Sequence, residues 1–128
     1  MYNINPSFIF KNLYSNLYIA RKSNVEEDSN HNKIAIYENP IKYKRWNIQY
    51  VKSQSELMEF GELATKMRVA VIPYTPKYKD KFKEFDLAYL DDANPDGEIV
   101  NGQNANYRIY AVRPQNNIIK VYFLLLTK

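Results

Sequence analysis

Beyond residue 33 the chain alternates apolar and polar positions in short runs, punctuated by proline, asparagine and glycine. Ile34, Ile36 and Tyr37 open a short strand that Pro40 interrupts. Trp46, Ile48 and Tyr50 alternate with Asn47, Gln49 and Val51, the period-two signature of a half-buried strand. Residues 66–72 (KMRVAVI) form another, ended by Pro73, which has no N–H to donate to a ladder. Alternation returns over residues 85–90 (FDLAYL). Asn94-Pro95-Asp96-Gly97 has turn residues at their preferred places, Ile99 and Val100 make a short strand, and Asn101-Gly102 gives a second turn. Residues 106–113 (NYRIYAVR) and 118–126 (IIKVYFLLL) predict a hairpin joined through Pro114, Gln115, Asn116 and Asn117. Ser53 and Glu56 stand at capping-box spacing, so residues 55–63 read as one or two helical turns, with an irregular strand as the alternative. The fold class that follows is mainly β: a small β-barrel or sandwich with a short helix.

The first 33 residues follow a different pattern. Phe8, Phe10, Leu13, Tyr14, Leu17, Tyr18 and Ile19 recur at spacings of 3 and 4 after Pro6, which predicts a short amphipathic helix, although part of the run also alternates. Residues 23–33 (SNVEEDSNHNK) are polar and turn-rich and read as an exposed linker. The predicted organisation is an extended or helical N-terminal arm with a polar linker, residues 1–33, and a small β domain, residues 34–128. Rings outside a main domain must be buried either back on it or on a partner. Phe8, Phe10, Tyr14 and Tyr18 are therefore candidate subunit or partner contacts.

Composition mainly removes chemistries. With 128 residues the chain fits one domain, and it holds 12 Tyr and 6 Phe against 3 Gly, 1 His and no Cys. No disulfide, thiolate zinc site or cysteine nucleophile is available. Any nucleophilic triad would rest on His31 alone, and Gly61, Gly97 and Gly102 never approach a phosphate-loop spacing. The expectation is no enzyme, no catalytic residue, no cofactor and no metal. The longest apolar run, residues 121–126, is strand length, so neither a membrane span nor a signal peptide is expected. The formal net charge of +4 is too diffuse for tight DNA binding, which needs several aligned phosphate contacts.

Three clusters carry two readings each. Asp91, Asp92, Asp96 and Glu98 read as turn carboxylates, or as oxygen ligands for a hard cation without EF-hand spacing. Lys77, Lys79, Lys81 and Lys83 form a basic stripe if their segment is extended and a solvated loop otherwise, with Asp80 and Glu84 offsetting the charge. Tyr107, Tyr110, Tyr122 and Phe123 read as strand packing, or as a base-stacking platform in an OB- or SH3-like barrel that binds single-stranded nucleic acid.

The order of segments from Phe60 onward carries a resemblance. Phe60-Gly61-Glu62, residues 66–74 (KMRVAVIPY), residues 82–91 (FKEFDLAYLD), residues 104–112 (NANYRIYAV) and a closing strand over 118–125 resemble the small head-closure and head-tail connector (adaptor) proteins of tailed bacteriophages. The resemblance implies a structural virion protein at the head-tail junction, assembled in the host bacterial cytoplasm. It implies a β-barrel repeated in a ring of about twelve copies, with a portal or adaptor protein above, a tail protein below and double-stranded DNA passing non-specifically through the channel. In that setting Lys77, Lys79, Lys81 and Lys83 become candidate channel contacts. The segment 1–33 is longer than in the most compact members, which leaves adaptor, head-closure and tail-completion positions open.

Overall fold

Alternating strands can avoid exposed edges by closing on themselves, and six of the strands here do so. The computed structural model describes residues 14–27, 29–31, 33–91, 93, 95 and 104–126. Its elements are β1 (Tyr14–Ala20), β2 (Lys22–Glu27), β3 (Lys33–Tyr37), β4 (Ile41–Tyr50), α1 (Gln54–Phe60), a 3-10 segment (Gly61–Lys66), β5 (Met67–Pro73), β6 (Leu87–Leu90), β7 (Tyr107–Gln115) and β8 (Ile118–Leu125). The closed antiparallel barrel runs β1-β4-β5-β8-β7-β6 and back to β1, while β2 and β3 form a separate two-stranded ribbon. Strands β6, β7 and β8 are successive neighbours and β5 lies beside β8, a Greek-key connection.

Period two decides what fills the barrel. Leu17 and Ile19 of β1, Ile48 of β4, Ala70 and Ile72 of β5, Leu90 of β6, Ile109 of β7, and Val121 and Phe123 of β8 join one buried core. Residues between them face outward. On β8 one of these, Tyr122, is covered by α1, whose Phe60 ring lies 4.9 Å from it in a second cluster with Val51, Ala64, Met67 and Ala111.

The N-terminal reading is corrected. Residues 14–20 form a barrel strand rather than a helix, because alternation sends Leu17 and Ile19 into the core while β1 supplies the partner that both β4 and β6 need for closure. The barrel therefore begins before residue 34, and this part of the expected arm belongs to it. The expected linker is also structured: β2 and β3 pair from Lys22 opposite Tyr37 to Glu27 opposite Lys33. Phe8 and Phe10 lie outside the described residues, as do the expected strand at Ile99 and Val100 and most of the Asn94 to Gly102 turn region.

The helix and the hairpin match the sequence reading. Ser53 Oγ accepts from the Glu56 N–H at 3.2 Å, and Gly61 ends α1 at φ 58°, where its N–H bonds back to the Leu57 carbonyl. Strands β7 and β8 are joined through Asn116 and Asn117, with Asn116 at φ 48°, a conformation that asparagine tolerates.

Candidate functional site

The connection between β5 and β6 is not extended, so it forms no flat basic stripe. The Tyr78 and Lys79 N–H groups both bond to the Thr75 carbonyl, at 3.0 and 2.8 Å, and wind the segment into a turn. Tyr78 and Phe82, four residues apart, are thereby buried against the core, with Trp46 at 5.6 Å from Tyr78 and Tyr43 at 5.4 Å from Phe82. Two apolar anchors thus hold a loop on which Lys77, Lys79, Lys81 and Lys83 are all exposed. Arg21 Nη2 donates to the Asp80 carbonyl at 3.0 Å and ties the loop to the end of β1.

The loop ends on an unusual residue. Phe85 has φ 75° and is 58% exposed, although a bulky side chain rarely adopts that backbone conformation. Its N–H bonds to the Ile109 carbonyl at 2.9 Å, and the next residue, Asp86, is buried with Oδ1 accepting from the Lys22 N–H at 3.0 Å. Lys22 Nζ and the Arg108 guanidinium lie 5.8 and 6.0 Å from the Phe85 ring centre. The chain therefore presents an aromatic ring to solvent between two cations.

A second exposed apolar group sits on the insertion between β4 and β5. Met58 is 78% exposed, and Leu57 and Leu63 accompany it. Glu56, Glu59 and Glu62 occur in the same stretch. Glu59 is bound by Arg113, and Glu56 accepts from the Tyr122 hydroxyl and from Ser53. Burial raises the Glu56 carboxyl, but those hydrogen bonds outweigh it and hold the group below the ordinary carboxylate range.

The aromatic platform does not form. Tyr107 and Phe123 are core residues, and Tyr122 is 2% exposed beneath α1. Its phenol is pushed well up by burial and by the Glu56 carboxylate that accepts its proton. Tyr110 is half-buried against Phe60 at 5.9 Å. Asp91 ion-pairs with Arg68, whereas Asp92, Asp96 and Glu98 lie outside the described residues. Among the described residues no cluster of three or more His, Asp or Glu is placed to hold a metal ion, and no helix is long and apolar enough to cross a membrane.

Tyr14 and Tyr18 are on β1, and what surrounds them escaped the sequence reading. Lys42 Nζ lies 5.8 Å from the Tyr18 ring centre, and Arg45 Nη2 donates to the Tyr14 carbonyl at 3.1 Å. Lys42, Lys44 and Arg45 fall in one run with Tyr43 and Trp46, a basic and aromatic signal that the alternation of Trp46, Ile48 and Tyr50 overshadowed. Comparison with protein-family models, curated proteins and solved structures gives no match.

Proposed function

We propose that this barrel is a structural subunit of the phage head-tail interface, a head-closure or connector protein that assembles head to tail into a ring below the portal. The observation that carries the reading is a pair of exposed apolar groups on different elements, one beside the exposed Glu62 and one beside two cations. Leu57, Met58 and Leu63 stand among glutamates on the α1 insertion, and Phe85 stands between Lys22 and Arg108. Two unlike, complementary surfaces on one subunit make a heterologous contact, which propagates from copy to copy and closes when the rotation allows. Aromatic and methionine side chains are enriched in such interfaces. Exposing Phe85 at a strained φ costs the monomer, and a contact that buries the ring offsets that cost.

In this assembly Lys77, Lys79, Lys81 and Lys83 face the DNA channel. Asp80 and Glu84 moderate their charge, so a duplex is lined without being gripped. The subunit extends or closes the channel and docks the tail. Phe8 and Phe10 belong to the segment that reaches a neighbour or partner.

The test exploits the asymmetry of the contact. Met58→Glu leaves the Phe85 patch intact, and Phe85→Glu leaves the α1 patch intact. Each variant alone is expected to remain monomeric in analytical ultracentrifugation, and a one-to-one mixture to stop at a heterodimer, because only one competent junction exists between them. Assembly of either variant as well as the parent would overturn the head-to-tail contact.

A further inference from the structure

The outer face of β1, β4 and β5 holds a groove of about 410 Å³, the size of a small-ligand site. Its chemistry follows from period two on β4. Ile48 points into the core, so Arg45, Asn47 and Gln49 form a row on the outside. Tyr14 pairs with Asn47 from one side, and Val69 pairs with Gln49 from the other. Lys44 completes the rim with its Nζ 4.2 Å from the Trp46 ring centre.

We propose that this groove binds a short stretch of single-stranded nucleic acid, with Lys44 and Arg45 taking phosphates, Asn47 and Gln49 a base edge, and Tyr14 a base face. The proposal does not depend on the ring.

Charge complementarity is the first support. No carboxylate lines the groove, and among the described residues neither Lys44 nor Arg45 belongs to an ion pair. Two cations on one rim with no internal counterion favour an anionic ligand. The second support is a buried acceptor. Asn47 Oδ1 is shielded from solvent and has no hydrogen-bond partner among the described residues. A buried amide oxygen left this way is costly, and turning the amide of this groove-lining residue towards a ligand donor relieves the cost. The exocyclic amino groups of adenine, cytosine and guanine are such donors, and asparagine and glutamine amides are suited to base edges.

The fold then selects among anionic ligands. An acidic peptide that bound by strand addition would need a free sheet edge, but β1, β4 and β5 each have neighbours on both sides in the closed barrel. A duplex keeps its pairing edges to itself, whereas a single strand offers edges, base faces and phosphates together. The exposed ring of Tyr14 provides a surface for such a face.

Trp46 is the only tryptophan and lines the groove, so its fluorescence reports occupancy. Full-length protein titrated with a mixed-sequence single-stranded oligonucleotide is expected to show salt-sensitive quenching with Kd of about 10⁻⁶–10⁻⁴ M near physiological salt. Lys44→Ala with Arg45→Ala should weaken binding about tenfold and reduce the salt slope by roughly 1.4, about 0.7 for each phosphate that is no longer neutralised. Asn47→Ala should change the preference among homopolymers while leaving the slope intact, and Lys79→Ala with Lys81→Ala should change neither. Circular dichroism confirms that each variant is folded. The proposal is overturned by absence of quenching at low salt, by equal binding of the matching duplex, or by loss of binding in the Lys79 and Lys81 pair instead. Equal quenching by polyglutamate with no effect of Asn47→Ala also overturns it, and assigns the groove to an acidic protein surface.

Discussion

Arg68 of β5 and Asp91, just after β6, join two strands that are not neighbours in the barrel: Nη1 of the arginine lies 2.6 Å from Oδ2 of the aspartate, although Arg68 is 3% exposed and Asp91 reaches solvent. Arg68 shares the inward row of β5 with Ala70 and Ile72, where a charge would ordinarily be excluded. It is accommodated because Nε and Nη2 donate to the Ile48 carbonyl at 3.2 and 2.8 Å and the guanidinium lies 5.1 Å from the Tyr50 ring centre. The arginine thus staples β5 to β4 and to the residue that follows β6.

Removing one partner of this pair separates charge from geometry. Asp91 has φ 59°, which asparagine also tolerates, so Asp91→Asn deletes the charge with little added backbone strain. We expect a loss of about 1.5–3 kcal/mol in urea unfolding, the range for a hydrogen bond to a charged group. Arg68→Ala also strands the Ile48 carbonyl and leaves a cavity, and should cost about 3 kcal/mol or more. Equal stabilities for the parent and both variants would show that the staple contributes nothing.

The capping box governs the α1 insertion. Ser53→Ala removes the oxygen that accepts the Glu56 N–H and should cost about 1 kcal/mol. Because the same insertion holds Met58 and Leu57 in place, self-association should weaken along with thermal stability. A drop in melting temperature without any change in association would separate α1 from the proposed contact.

Phe85 predicts the opposite pairing of effects. Phe85→Asn places a residue suited to positive φ where the strained ring stands, so monomer stability should hold or rise by up to about 1 kcal/mol. Self-association should fall, since the exposed ring is gone. A clear loss of monomer stability would mean that the ring supports the fold rather than a partner.

Asp86 gives a pH dependence. Burial pushes its carboxyl up, against the Lys22 N–H and the Arg21 and Lys83 charges that pull it down, and Oδ2 has no hydrogen-bond partner among the described residues. The folded protein therefore holds this proton more tightly than the unfolded chain, whose aspartate titrates at about 3.9. The penalty for the charged form is fully present above the folded pKa and disappears as pH falls towards the unfolded value. Relative to Asp86→Asn, the parent should gain stability as pH is lowered from neutral. A pH-independent difference between the two melting temperatures would contradict this account.

What the sequence revealed depended on whether neighbours in the chain were also neighbours in the fold. The β7–β8 hairpin and the Ser53 cap are local, and both were legible. Strand β1 was not, because Leu17, Tyr18 and Ile19 satisfy helical and alternating spacing alike, and only its pairing with β4 and β6, distant in sequence, decides between them. The inward turn of Arg68 was hidden for a similar reason: outward Val69 and Val71 are apolar too, so either face of β5 could pass for the core face. The Lys77 to Lys83 loop was legible in charge but not in shape, since burial of Tyr78 and Phe82 overrides the extended alternation. The groove beside Tyr14 required β1, β4 and β5 together and had no local signature beyond the basic and aromatic run on β4.

If the two patches join into a closed ring, native mass spectrometry of the full chain across a concentration series will show it. One dominant assembly of uniform stoichiometry, about twelve copies, is expected to appear cooperatively above a threshold concentration. A folded monomer at every concentration, or an open ladder of sizes with no preferred closure, would contradict it.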